Sequence, residues 1–174
     1  MDEILIQVTE DDEILGPVKR SLVHGNPMLI HRSVHVLVIN SAGLLLLQKR
    51  SLRKDTQPGK WDTSVGGHVG FGQSYTQAAV REAEEELGLA IDLEVDPLKF
   101  LYFSRIRNSV ESENIQTFLY LYSGPIRHDP EEIDEIRFWS RAEIHRDLGS
   151  GLFTPNFEDE FDLFLNSPHG PLLK

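Results

Sequence analysis

The sequence predicts one α/β domain, an α/β/α sandwich in which a mixed sheet lies between helices. Two observations predict this class. Segments rich in aliphatic and β-branched residues alternate irregularly with stretches that carry helix-capping residues, and the 174 residues fit one domain. The sequence shows no internal repeat and no linker that would divide it. We therefore expect a single domain over residues 1–174, with a core over residues 33–165 and an N-terminal hairpin extension over residues 1–32.

The strands are predicted from apolar segments that are bounded by turn residues. In the extension, residues 4–8 and 14–18 flank an acidic turn and predict a hairpin. Residues 33–39 are rich in β-branched side chains, and residues 44–48 follow after a turn at Gly43, which predicts a second hairpin. Three further strands are predicted at residues 100–107, 116–122 and 136–139.

Three helices are predicted from the residues that cap them. Each begins at a serine or threonine whose side chain can accept a hydrogen bond from the first helical turn, and the first helix ends before Gly88. The last helix carries an apolar stripe that would pack on the sheet. The predicted helices span residues 74–87, 140–149 and 154–165.

Composition excludes several classes of function. The chain has 28 Asp and Glu against 17 Lys and Arg, a formal charge of -11, which argues against coating nucleic acid or an anionic membrane. It has no cysteine, so disulfides, thiolate zinc sites and cysteine nucleophiles are excluded. The N-terminal segment lacks the basic-then-apolar order of a signal peptide, and no apolar run reaches the roughly 20 residues of a membrane helix. We expect a soluble, cytoplasmic domain.

The helix predicted over residues 74–87 carries a concentration of acid that helices normally avoid. Glu82, Glu85 and Glu86 fall within an arc of about 100° on one face. Glu82 and Glu86 are like charges at i, i+4 spacing, and the helix dipole disfavours carboxylates in the last turn. A hard divalent cation such as Mg²⁺ or Mn²⁺ would offset both effects.

A solvated glutamate-rich face is the alternative explanation, because surface helices often carry such charge. The residues before the helix count against it. Four glycines stand at positions 66, 67, 70 and 72, where they let the backbone bend tightly and approach a ligand. The sequence therefore favours a divalent-metal site on this helix and the glycines before it.

Residues 67–89 resemble the Nudix box, whose pattern is G-x5-E-x7-R-E-U-x-E-E-x-G-U, with U an aliphatic residue. The departure is Gln73, which stands where the family has a glutamate that helps the metal site. The positions that match the pattern are Gly67, Arg81, Glu82, Ala83, Glu85, Glu86, Gly88 and Leu89. The resemblance implies the Nudix fold and the Mg²⁺-dependent hydrolysis of a diphosphate linked to another group in a small molecule.

The same resemblance implies roles for residues of the box. Glu82, Glu85 and Glu86 would be the metal ligands and catalytic residues, with the carbonyl of Gly67, or that of Gly66, as a further ligand. Arg81 would pair with a carboxylate of the box and orient it. The general base stays open, since in the family it lies either in the box or in a distant loop, where residues 111 and 113 are glutamates. A homodimer is also left open.

Three histidines resemble the metal-binding histidines of isopentenyl-diphosphate isomerase. This enzyme belongs to a second branch of the superfamily and holds a metal with histidines and acidic residues. His24 and His31 are seven residues apart, and His68 follows the double glycine. The isomerase has an essential cysteine where this chain has Gly66, so the hydrolase is the preferred interpretation. His68 is kept as a candidate metal ligand. A non-catalytic diphosphate-binding module is the third alternative, and Gln73 favours it mildly.

The loop over residues 49–60 concentrates positive charge in an acidic chain. A basic loop beside the glycines would steer an anionic substrate toward them, although it could equally balance nearby acids. The candidate substrate-binding residues in this loop are Lys49, Arg50, Arg53 and Lys60.

Overall fold

The computed structural model describes residues 2–174, which form one mixed sheet flanked by helices. The strands are β1 (Ile4–Val8), β2 (Ile14–Lys19), β3 (Ile30–Ile39), β4 (Leu45–Arg50), β5 (Trp61–Asp62), β6 (Val65–His68), β7 (Lys99–Arg107), β8 (Ser112–Leu121) and β9 (Ile133–Trp139). The helices are α1 (Arg20–Val23), α2 (Tyr75–Leu87), α3 (Arg141–Asp147) and α4 (Pro155–Leu165), followed by a 3₁₀ turn, Gly170–Leu172. Among residues 2–174, the helices are too short or too polar to span a bilayer.

Strand β3 organises the sheet. Along one edge it pairs in parallel with β8, from Ile30 opposite Ser112 to Ile39 opposite Leu121. Along the other edge it pairs antiparallel with β1, then β6, then β4. The remaining pairings, β1 with β2, β7 with β8, and β4 with β5 and β9, are antiparallel. The sheet is therefore mixed, as the sequence predicts.

The alternation of side chains along β3 builds two apolar layers. Val34, Val36 and Val38 belong to the buried cluster that contains the small residues of α2. Leu37 and Ile39 belong to a second cluster, which contains the phenylalanines of α4. Because successive strand residues point to opposite faces, α2 and α4 cover opposite sides of the sheet. The predicted α/β/α sandwich is confirmed.

The predicted hairpin between residues 33–39 and 44–48 is corrected by the structure. β3 and β4 are paired at a single position, Ile39 opposite Leu45, and β4 then runs alongside β9. Ser64 lies where the two strands diverge: its hydroxyl donates to the Leu46 carbonyl at 2.5 Å and accepts from the Val38 N–H at 2.9 Å. One serine thus satisfies the backbone groups that a hairpin would have paired.

The structure differs from the prediction at two further places, and strand pairing explains both differences. The glycines at positions 66 and 67, expected in a tight turn, lie in β6, because β6 pairs with residues 33–36 of β3. β8 begins at Ser112, inside the polar segment predicted as a loop, because its parallel register with β3 extends that far. The first helix, α1, was not predicted.

The N-terminal hairpin is tied to the rest of the fold through Asp12, which has a left-handed φ of 65° in the turn between β1 and β2. Its carboxylate accepts from Arg32 Nε at 3.0 Å on β3, from the Tyr75 hydroxyl at 2.9 Å on α2, and from Asn114 Nδ2 at 3.3 Å on β8. One side chain therefore connects the hairpin to three elements of the core. We propose that residues 1–32 and the core form one cooperative domain.

Replacing Asp12 by alanine tests this connection. We expect Asp12→Ala to lower the free energy of unfolding by about 2–3 kcal/mol, because three donors lose their acceptor and a strained φ is kept without compensation. Urea unfolding would measure it, with Asp11→Ala, an exposed neighbour, as the control. Equal stability of the two variants would show that the hairpin is not held through Asp12.

Candidate active site

Helix α2 presents the carboxylates of the box to strand β6. Its N-terminus is closed by a capping box between Ser74 and Gln77, and its C-terminus by Gly88, whose φ of 64° is left-handed. The buried face of the helix includes Ala78, Ala79 and Ala83. Because these side chains are small, the helix packs closely on the sheet, and the adjacent acidic arc faces β6.

Glu86 is 7% exposed and lies against the backbone of β6. Its Oε2 accepts from the Gly66 N–H at 3.2 Å and from Gln48 Nε2 at 3.1 Å. Burial, together with the nearby charge of Glu82, raises the pKa of Glu86 to about 8. With this pKa the Glu86 carboxyl group is mostly protonated at pH 7, and a bound cation would favour its ionised form.

Glu82 lies directly over Gly67. A Cβ atom on Gly67 would overlap the carboxyl group of Glu82, so glycine at this position is what allows the glutamate to lie here. Burial raises the pKa of Glu82 to about 7, although Arg81 acts to lower it. Each glycine of β6 therefore contacts one carboxyl group: Gly66 contacts that of buried Glu86, and Gly67 that of half-buried Glu82.

Arg81 holds this arrangement together. Its Nη2 donates to the His68 carbonyl at 2.9 Å and contacts Glu82 Oε1 at 2.8 Å, and its Nη1 donates to Glu85 Oε2 at 2.8 Å. The Glu85 side chain is 59% exposed, so it is the most accessible carboxylate of the three. Arg81 thus contacts carboxylates of the box and a backbone carbonyl of β6.

A cleft of about 230 Å³ opens beside these residues and is lined entirely by acids. Two of them, Asp129 and Glu132, come from the segment before β9 and were missed by the sequence reasoning. Their proximity follows from a hydrogen bond between the Asp129 N–H and the Glu86 carbonyl at 3.0 Å. The acidic run over residues 129–135 was the signal that could have indicated them. The lining residues are Glu82, Glu85, Glu86, Asp129 and Glu132.

Gln73, the residue at which the box departs from the family pattern, forms a hydrogen bond with the glycine-containing segment before α2. Its side-chain oxygen accepts from the Gly70 N–H at 3.0 Å. The amide therefore stabilises the turn that precedes α2.

A second cluster of metal-ligating side chains lies on the opposite face of the sheet. Donor atoms of His31, His68 and Glu113 all lie within 4.8 Å of one another, and the His24 ring centroid is 5.4 Å from that of His68. The Ser33 hydroxyl donates to Glu113 at 2.7 Å. His31 is fully buried, and its Nε2 lies 3.3 Å from Glu113 Oε1 but completes no hydrogen bond among residues 2–174. An orphaned buried imidazole nitrogen beside a carboxylate fits a metal ligand.

The electrostatics of this cluster are consistent with that role. Burial lowers the pKa of His68 to about 3, so its ring is neutral at pH 7, the form that binds metals. Burial alone would raise the pKa of Glu113, but the close contact with His31, the hydrogen bond from Ser33 and the nearby His68 lower it to about 2. Glu113 is therefore part of the histidine cluster, and the same segment places Glu111, half-buried, next to it.

Two basic side chains of the loop over residues 49–60 form contacts within the protein. The Arg50 guanidinium donates to the Thr56 carbonyl at 3.0 Å and to Asp62 at 3.1 Å. Lys54, in the same loop, pairs with Glu132 at the acidic cleft. Arg53 is exposed, and Lys49 and Lys60 are half-buried. Arg50 thus stabilises the loop, and Lys54 attaches the loop to the cleft.

Comparison with known proteins agrees with this geometry. The model of the NUDIX domain family matches residues 29–157. An uncharacterized Nudix hydrolase from Pseudomonas aeruginosa is 36% identical over 136 residues, 78% of this chain and 78% of that protein. An isopentenyl-diphosphate Delta-isomerase from Serratia proteamaculans is 33% identical over 147 residues, 84% of this chain and 79% of that protein.

The fold comparison extends over nearly the full chain. The crystal structure of DR0079 from Deinococcus radiodurans superposes with a TM-score of 0.76 at 23% identity, covering 91% of this chain and 96% of that one. The class of protein is defined by a mixed sheet between helices, in which the acidic helix α2 packs on β6, the strand that contains two glycines. The chain belongs to the NUDIX domain family, whose hydrolases act on diphosphate bonds.

Gly67→Ala tests the contact between β6 and Glu82. We expect the free energy of unfolding to change by less than about 1 kcal/mol, because the overlapping group is the flexible end of a side chain that can move away. We expect hydrolysis to fall steeply, because the same movement displaces a carboxylate from the cleft. Urea unfolding and a phosphate-release assay on one preparation measure both. A folded Gly67→Ala protein with full activity would show that the position of Glu82 is unimportant.

Proposed function

We propose that this protein is a divalent-metal-dependent hydrolase that cleaves the diphosphate linkage of a small organic substrate, such as a nucleoside diphosphate derivative. The observation that carries the proposal is the pair of carboxyl groups of Glu82, half-buried, and Glu86, buried, each in contact with a glycine of β6. Burial raises the pKa of both groups, and for Glu82 it outweighs the contact with Arg81 at 2.8 Å. Such a site favours a bound cation.

The residues present fit Mg²⁺ or Mn²⁺. Both ions prefer oxygen ligands, and the carboxylates of Glu82, Glu85 and Glu86 with the Gly67 carbonyl would supply them. When bound, a divalent ion neutralises phosphate charge and lowers the pKa of water. Arg81 keeps two of the carboxylates oriented. The acids at positions 129 and 132 place further proton acceptors in the same cleft.

The test is a panel of diphosphates assayed with Mg²⁺ and with Mn²⁺ and read for product identity. The panel contains nucleoside diphosphate derivatives, nucleotide sugars and prenyl diphosphates. We expect phosphate or nucleotide release from at least one substrate, and its complete loss when EDTA removes the metal. Inactivity of the wild type toward every substrate with both metals would contradict the proposal.

The histidine cluster supports one alternative, an isomerase of isopentenyl diphosphate, because His24, His31, His68 and Glu113 resemble its metal site. The chain has Gly66 in place of the cysteine and no other cysteine to replace it. The same panel discriminates: the isomerase would convert isopentenyl diphosphate to its allylic isomer without releasing phosphate. Tight binding without any turnover would indicate a diphosphate-binding module instead.

A further inference from the structure

A buried ion pair lies on the α4 face of the sheet, away from the acidic cleft. His35 Nδ1 donates to Glu160 Oε1 at 2.8 Å, and the Thr117 hydroxyl donates to the same oxygen at 3.1 Å. Glu160 is 4% exposed and stands on α4 among phenylalanines. A carboxylate in such surroundings is costly unless it is paired, and His35 supplies the pair.

The pair leaves the second nitrogen of His35 available. The register of β3 and β6 places His35 opposite Gly66. A Cβ atom on Gly66 would lie 3.3 Å from His35 Cδ2, 3.4 Å from Thr63 Cγ2 and 3.5 Å from His35 Nε2, so the ring edge that carries Nε2 packs beside this glycine. About 14% of the His35 side chain is exposed, and Nε2 has no hydrogen-bond acceptor among residues 2–174. A carboxylate on Nδ1 and a free N–H on Nε2 are the arrangement of an oriented histidine donor.

The charges that face His35 keep its ring protonated. They come from three elements: Glu160 on α4, Asp62 on β5 and Glu113 on β8. Tyr102 on β7 donates to the Glu160 carbonyl at 3.4 Å and adds no charge at neutral pH. Burial lowers the pKa of His35, but the three carboxylates outweigh it and raise the value to about 9. His35 therefore presents a positively charged donor at pH 7.

Gly66 connects this donor to the cleft. Its N–H donates a hydrogen bond to Glu86 of the acidic cleft, and the ring edge of His35 lies beside it on the α4 face. An anionic oxygen at the exposed edge of His35, beside Gly66, would contact Nε2, and the carboxylates on the other side of the same strand would hold the cation. We propose that His35 is a further substrate-contacting residue, donating from Nε2 to a phosphate oxygen of the diphosphate, with Glu160 as its positioning residue. This inference rests on the proposed function only for the identity of the ligand as a diphosphate.

The test measures binding and needs no turnover. Methylenediphosphonate, a diphosphate analogue that resists hydrolysis, is titrated calorimetrically into the Mg²⁺-loaded protein. We expect His35→Gln to weaken binding about tenfold to a hundredfold, the effect of losing one charge-assisted hydrogen bond. Glu160→Gln should weaken it less, because the amide oxygen can still accept from Nδ1. The exposed His145→Gln is the matched control and should bind as the wild type does.

Two measurements separate this role from a purely structural one. Because His35→Gln leaves Glu160 buried without its partner, the double variant His35→Gln with Glu160→Gln removes both charges and should fold while binding as weakly as His35→Gln. In the wild type, the ¹⁵N resonance of His35 Nε2 should shift when methylenediphosphonate binds. Wild-type affinity in the folded double variant, an unmoved resonance, or no binding to the wild type would each overturn the inference. Binding that depends on His35 without hydrolysis of any substrate would support it and contradict only the hydrolase proposal.

Discussion

Glu86→Gln is expected to lower kcat/KM by more than about a hundredfold, because it removes a buried ligand charge from the cleft while preserving the shape of the side chain. The amide can still accept from the Gly66 N–H, so the position of β6 should be kept. Hydrolysis of the best substrate from the panel, measured at saturating Mg²⁺, gives the value. Glu82→Gln is expected to behave in the same way, since both carboxylates line the cleft and contact glycines of β6.

Glu84→Gln is the control for this prediction. Glu84 is on the same helix and has the same charge, but it is exposed and lies outside the set of residues that line the cleft. Its replacement should leave kcat/KM unchanged. If Glu84→Gln and Glu86→Gln lose activity equally, the effect belongs to the overall charge of the helix rather than to the cleft.

Divalent metal is expected to stabilise the protein more at pH 8 than at pH 5. The pKa values of Glu82 and Glu86 are raised, to about 7 and about 8, above the ordinary value of 4.5. A group of this kind contributes stability that is fully present below its unfolded pKa and is lost as pH rises through its folded pKa. The metal-free protein should therefore lose stability between about pH 4.5 and pH 8, and a cation that binds the ionised carboxylates should restore it.

The measurement is the melting temperature, with and without Mn²⁺, at both pH values for the wild type and for Glu86→Gln. Other groups titrate in the same range, so the difference between the two proteins isolates the contribution of Glu86. We expect metal-free Glu86→Gln to be the more stable protein at pH 8 and to gain less from Mn²⁺. A wild type that gains as much at pH 5 as at pH 8 would contradict the raised pKa values or place the ion elsewhere.

The features of the acidic helix α2 are the part of the site that could be predicted from the sequence. Its caps at Ser74 and Gly88, its small buried face and the spacing of Glu82, Glu85 and Glu86 are all local, since 3.6 residues per turn place them on known faces. The helix boundaries and the shared face of these glutamates therefore follow from local spacing, whereas the contact between Glu82 and Gly67 was seen only in the structure.

The residues that lie next to this helix in the fold were harder to predict from the sequence. Asp129 and Glu132 reach the cleft because the segment before β9 bonds to the end of α2, and nothing in their local sequence specifies that meeting. Glu113 was considered as a base for the box, yet the register of β8 against β3 places it with His31. A shift of one residue in that register would move it to the opposite face of the sheet.

By itself the sequence determined the fold class, the boundaries of the capped helices, the acidic face and the absence of cysteine chemistry. These properties depend on periodicity, capping and composition, which act over a few residues. Only the tertiary structure decided which acids share the cleft, which histidines meet Glu113, and that His35 is held by Glu160, 125 residues away along the chain. Those contacts depend on strand register and on helix packing, where the free energy comes from burial between distant segments rather than from any local pattern.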